Sequence, residues 1–276
     1  MRGNTQGEAG SFSGFPGLKG VLVGAMMLSL GACQSVGQDT GFGKAESEPG
    51  ALVEMDGPQR TLFEAGRDAE ARHKYDVAAN AYGRLFERRT QDAEVLAAFI
   101  RNMRYSGKAV DITNYVENKT QHLISDPYVK FEYSKALLAA RRIGDAVRNL
   151  NETALLMPDN WRVQSALGIA YDTLGEYSRA IAAYNTALKF SPGNTVVLNN
   201  LAMSQAMAGQ LAQAIGTLER AANLDRANPQ IRQNLALLYA VNGEMEKARA
   251  LAAMDLDSSD MEANLSFYRR FEGNSQ

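Results

Sequence analysis

One cysteine, Cys33, and two histidines, His73 and His122, are all this chain of 276 residues has of the side chains that most often bind metals or activate nucleophiles. The histidines stand far apart, so no zinc-ligand spacing can be assembled. No Cys–His or Ser–His motif context stands out either. The carboxylates are scattered over presumed outer faces, and the chain reads as a protein that is not an enzyme and needs no metal or cofactor. A lone cysteine cannot form a disulfide within the chain. An excess of one charge is lacking too: 29 Lys and Arg face 31 Asp and Glu, a formal net charge of −2. That balance leaves no electrostatic footprint for nucleic acid. The apolar stretch from Gly20 to Ala32 falls short of the ~20 residues a bilayer-spanning helix needs.

What the chain does have is a period. Six segments of 34 residues, beginning at Gln59, Ala93, Pro127, Trp161, Thr195 and Pro229, share one register without an insertion. The eighth position reads Gly66, Ile100, Ser134, Gly168, Ala202 and Ala236; the twentieth reads Ala78, Ile112, Ala146, Ala180, Ala214 and Ala248. Small side chains at two fixed offsets let two helices cross closely, and a large one demands a shift. Larger residues recur at the seventh position (Ala65, Phe99, Tyr133, Leu167, Leu201, Leu235) and the twenty-fourth (Tyr82, Val116, Leu150, Tyr184, Leu218, Ala252). Glycine holds the fifteenth position in four units, at Gly107, Gly175, Gly209 and Gly243, where a first helix should stop in a left-handed residue. Pro127 and Pro229 open their units, and Pro158 and Pro192 close others.

This pattern resembles the tetratricopeptide repeat, a helix–turn–helix unit of 34 residues. The fourth unit carries Leu167-Gly168, Tyr171, Ala180, Tyr184, Ala187 and Pro192 at the family offsets, while the second replaces both small residues by Ile100 and Ile112. The resemblance implies an all-α superhelical solenoid of six units over 59–262 (59–92, 93–126, 127–160, 161–194, 195–228, 229–262), because each unit buries its apolar face only against its neighbours. Met261 to Phe271, with Leu265, Phe267, Tyr268 and Phe271, reads as one more helix, so 263–276 is expected to cap the open end.

The N-terminus reads as an address. Arg2 and Lys19, with Glu8 against them, precede the apolar run that ends in Leu30-Gly31-Ala32-Cys33. Residues 1–32 fit a secretory signal peptide. The tetrad resembles the bacterial lipobox, which implies a diacylglycerol thioether on Cys33 and cleavage before it. The alternative is an ordinary signal peptide cut after Ala32. Gln34, in place of Asp, leans by that resemblance towards the outer membrane. Each buried methylene contributes about 0.8 kcal/mol, so two or three acyl chains anchor stably. Residues 33–58 are poor in large apolar side chains and read as a flexible tether behind the lipidated cysteine. Its Gly41-Phe42-Gly43-Lys44 echo of a phosphate loop lacks the P-loop spacing and reads as linker.

In the repeat family the first helices line a groove through their second, fifth, sixth, ninth, twelfth and thirteenth positions. In the fifth and sixth units these include Asn199, Asn200, Met203, Met207, Gln233, Asn234 and Leu237. Amides can donate to and accept from a peptide backbone, and Met203 and Met207 can form an adaptable apolar floor. The alternatives are local capping or hydrogen bonding within the solenoid for the asparagines, and plain core for the methionines. The other half of the groove gathers Arg67, Arg101, Arg104 and Lys135 with Phe63, Tyr105 and Phe131. This strip suits an acidic or C-terminal segment. Glu64, Glu70, Glu94 and Glu132 interleave with it, so a solvated face is the competing reading.

The C-terminal stretch narrows the resemblance. Asn234-Leu235-Ala236-Leu237, Gly243 to Ala248, Asp255-Leu256 and Ala263-Asn264-Leu265-Ser266-Phe267-Tyr268-Arg269 look like the tail of the TadD family, the repeat lipoproteins of the tight-adherence (Tad/Flp) pilus system. Phe267 and Tyr268 stand where that family carries Tyr and Leu. The resemblance implies an outer-membrane lipoprotein facing the periplasm. Its partner would be the pilus secretin or an assembly factor, and its task secretin assembly or localisation. The rival expectation is a lipoprotein scaffold of another envelope system, such as a type IV pilus pilotin, a barrel-assembly subunit or an adaptor for cell-wall enzymes.

Overall fold

An Asp or Asn stands immediately before the first helix of every repeat and starts it. In the computed structural model, which describes residues 55–255, Asp56, Asp92, Asp126, Asn160, Asn194 and Asn228 each accept a hydrogen bond from a backbone N–H of the first turn. Such caps satisfy donors that the helix itself leaves open. The expected signal peptide, Cys33, most of the tether and the capping segment lie outside the described residues.

The described residues form six helix pairs: α1 (Gly57–Ala71) with α2 (Tyr75–Phe86), α3 (Ala93–Tyr105) with α4 (Ala109–Lys119), and α5 (Pro127–Ala139) with α6 (Ile143–Leu156). Then come α7 (Trp161–Thr173) with α8 (Tyr177–Phe190), α9 (Thr195–Met207) with α10 (Leu211–Leu224), and α11 (Pro229–Val241) with α12 (Met245–Ala252). A 3-10 turn at Gln121–Leu123 follows α4. Each pair turns at its fifteenth position with positive φ. Glycine occupies four of these sites, from 73° at Gly175 to 82° at Gly243; His73 at 56° and Arg141 at 64° occupy the other two.

Each helix packs on the next in chain order, and buried apolar residues form three clusters strung along the chain. First helices of successive units approach one another more closely than second helices do. The ribbon therefore curves towards α3, α5, α7, α9 and α11, which line its inner side. This is the tetratricopeptide solenoid, all-helical over the described residues.

The crossing inside each unit matches volumes. A Cβ on Gly66 would lie 2.8 Å from the Tyr82 ring, and one on Gly168 would lie 2.4 Å from the Tyr184 ring. The largest twenty-fourth residues thus sit over the smallest eighth ones. The second unit reverses this, with Ile100 opposing Val116 and Ile112 fully buried. Two branched side chains hold α3 and α4 apart, and α3 packs more extensively on α5 than on α4. The departure from the repeat pattern is absorbed as a local shift of one helix.

Candidate protein-binding face

The inner side divides into two chemically different halves. In the N-terminal half, Glu132 of α5 is almost wholly buried. Lys135 Nζ lies 2.9 Å from its Oε1, Arg101 Nη1 4.0 Å from the same atom, and Arg104 Nη2 3.8 Å from Oε2. Burial pushes the Glu132 carboxyl up, but Lys135, then Arg101 and Arg104, outweigh it and hold the carboxyl below its ordinary range. Arg101 also grips Glu70 of α1, with Nε 2.7 Å from Oε1 and Nη2 3.2 Å from Oε2. Arg104 stacks over Tyr105 at 4.0 Å, and Lys135 lies 4.5 Å from the Phe131 ring centroid.

The expected basic strip is corrected by this geometry. Arg101, Arg104 and Lys135 neutralise Glu70 and Glu132 where α3 meets α5, so they knit the solenoid rather than present free charge. The two isoleucines of the second unit explain why: by driving α3 against α5, they bury the charges between those helices. Arg67 stays exposed, with its guanidinium 5.9 Å from the Phe63 ring.

The C-terminal half carries a row of amides. Gln230 Nε2 donates to Asn234 Oδ1 at 3.2 Å, and Asn234 Nδ2 donates to Asn199 Oδ1 at 2.7 Å. Asn199 Nδ2 donates in turn to Asn200 Oδ1 at 3.5 Å. The structure thus brings Asn199, Asn200 and Asn234 together across α9 and α11. Asn234 is buried, Asn199 and Asn200 are half-buried, and Gln233 is exposed. Met203, Met207 and Leu237 are buried, and Met207 and Leu237 belong to the apolar cluster shared by α9 to α12. These three are core, so the apolar floor expected at the methionines is closed by packing. What the half offers to solvent is polar: the amide row and Gln233, beside half-exposed Val196.

Asp172, at the twelfth position of the fourth unit, was not singled out by the sequence. Its carboxylate accepts from Tyr184 Oη at 2.9 Å and from Ser204 Oγ at 2.7 and 2.8 Å. Burial raises its pKa to about 6, against the two hydroxyls that lower it. The signal that could have found it is the period itself, since Glu70 occupies the same offset.

Among the described residues no group of three or more His, Cys, Asp or Glu side chains could hold a metal ion. No described helix is long and apolar enough to cross a membrane.

Residues 134–195 match the family model described as Tetratricopeptide repeat. Among curated proteins none matches the chain significantly. Among solved structures, MamA 41-end from Desulfovibrio magneticus RS-1 is 15% identical, with 64% of this chain and 95% of that one covered at a TM-score of 0.51. A crystal structure of MamA protein is 17% identical and covers 62% of this chain and 94% of that one, at a TM-score of 0.50. A thermophilic repeat protein of Thermus thermophilus is 17% identical over 76% of this chain and 98% of its own, at a TM-score of 0.49. The first two likenesses show the fold. Proteins built of these repeats serve in general as non-catalytic scaffolds that bind other proteins.

Proposed function

We propose that this tetratricopeptide-repeat chain is a lipid-anchored adaptor of the bacterial envelope, which holds a protein segment against the inner side of its fifth and sixth units. The observation that carries the reading is the amide row Gln230–Asn234–Asn199–Asn200. It lies beside exposed Gln233 on two helices whose other residues from Val197 to Met207 and from Leu235 to Ala240 are mostly buried. Amides in such a row exchange hydrogen bonds with the backbone of an extended segment without demanding a particular side chain. The lipobox-like Leu30-Gly31-Ala32-Cys33 supports attachment at Cys33, and Gln34 supports the outer membrane, with the solenoid in the periplasm. The tail's likeness to the TadD family supports the Tad/Flp pilus secretin, or a factor that assembles it, as partner.

The test is a Cys33→Ser variant in cells that make the pilus. Loss of radiolabelled palmitate from the protein, together with fewer secretin multimers in the outer membrane, is the expected result. Palmitate labelling that persists refutes the anchor. Normal multimers and pili in a full deletion refute the assignment to secretin assembly.

A further inference from the structure

Two joints of the solenoid, three repeats apart, are built on the same plan. Where the first unit meets the second, Gly66 lies under Tyr82, and Tyr82 Oη donates to Glu70 at 3.4 Å. Asn102 of the next unit donates to the same carboxylate at 3.3 Å. Where the fourth unit meets the fifth, Gly168 lies under Tyr184, which donates to Asp172, and Ser204 takes the place of Asn102. Every one of these residues holds the same repeat offset as its counterpart.

The joints differ in one component. At the first, Arg101 from the ninth position of the second unit closes on Glu70 with two N–H donors. At the fourth, the ninth position of the next unit is Met203, which carries no charge. Glu70 therefore receives four donors and a counter-charge. Asp172 receives two hydroxyls, and the single proton of Ser204 is divided between both carboxylate oxygens and the Asn200 carbonyl, 3.0 Å away. Among the described residues no cation pairs with Asp172; the other titratable group that senses it is Tyr177. Asp172 is half-buried, and a carboxylate with spare lone pairs, partly withdrawn from water and without a counter-ion, is poised to take one.

We propose that Asp172 is the binding site for an arginine or lysine side chain of the protein segment held on the inner side of the fifth and sixth units. The inference deepens the groove reading above and rests on it. The geometry supports a guanidinium in particular, since at the first joint a guanidinium spans both oxygens of the matching carboxylate. Ser204 and Asn200 stand one turn apart on α9, where Ser204 Oγ also donates to the Asn200 main-chain carbonyl, so the row takes the segment's backbone and Asp172 its cation. Lone carboxylates on helices are usually solvated charge; here the matching joint, with its counter-ion built in, shows what is missing.

The experiment uses the full chain in detergent and four pools of nine-residue peptides. The central residue is arginine, lysine, citrulline or norleucine, and the other positions are randomised. The arginine and lysine pools are expected to be retained at least tenfold better than the two neutral pools. Asp172→Asn should erase that preference. Met203→Arg, which copies Arg101, should erase it too by filling the site from within. Equal retention of all four pools overturns the cation site and leaves the groove standing. A charge preference that survives in folded Asp172→Asn also overturns it. Retention of no pool overturns site and groove together. Should Met203→Arg fail to fold by circular dichroism, the comparison with Asp172→Asn still decides.

Discussion

Arg141 and His73 hold backbone conformations that side chains avoid, and at the residue scale this sets a stability test. Both sit at the fifteenth position with φ near +60°, where the other four units use glycine. A left-handed non-glycine residue costs about 1–2 kcal/mol. Arg141→Gly is expected to raise the unfolding free energy by about 1 kcal/mol in denaturant titration. His73→Gly should gain less, because it gives up the 2.8 Å contact of Nδ1 with Tyr75 Oη. The four glycine turns were legible in the sequence. The other two were legible only through the period, since neither His nor Arg signals a left-handed turn. Asp172 sets a second test. Its folded-state pKa, about 6, lies above the ordinary carboxylate value of 3.8. The folded state therefore binds this proton more tightly than the unfolded one. The resulting stability is full below about pH 4 and is lost as pH rises through about 6, a loss of roughly 3 kcal/mol. Asp172→Asn should remove that component: measured across pH 4 to 8, the variant gains on the parent as pH rises. Parallel stability curves would contradict the burial account.

At the scale of the element, the helix crossing decides which substitutions are felt. Ala180 is fully buried in α8 at a close approach to α7, so Ala180→Leu should overpack it and cost about 1–3 kcal/mol. Ile112→Leu conserves volume in a crossing already spread by Ile100, and should cost less than about 1.5 kcal/mol. Equal losses in denaturant unfolding would mean that the crossing positions are misassigned. The repeat register made the helix pairs legible, because periodic small residues mark crossings and glycine or proline marks ends. It did not reveal the Asp and Asn caps, although Asp92, Asp126, Asn160, Asn194 and Asn228 recur at one offset. Nor did it reveal that α3 turns from α4 to α5. That shift depends on two isoleucines acting together, and it carries Arg101, Arg104, Glu132 and Lys135 into a buried network. Single-residue reading treats those charges as surface.

For the whole molecule, the solenoid divides labour along its length. The N-terminal half uses its inner charges to hold α1, α3 and α5 together, while the C-terminal half has an amide row and one carboxylate, Asp172, with no cation partner among the described residues. In a chain of nearest-neighbour contacts such a division is natural, because each joint is stabilised on its own. The candidate site was only partly legible for the same reason. The asparagines could be placed by offset, but the burial of Met203, Met207 and Leu237 follows from packing between α9 and α12, which no single unit displays. The claim that partner binding lies on the inner side is tested most directly by photocrosslinking in pilus-producing cells, with the reactive residue placed at inner Gln233 or at Leu155, which is 83% exposed on α6. The account predicts a secretin adduct from position 233 and none from position 155. An adduct from position 155 alone, or none from either position in a folded and abundant protein, would contradict it.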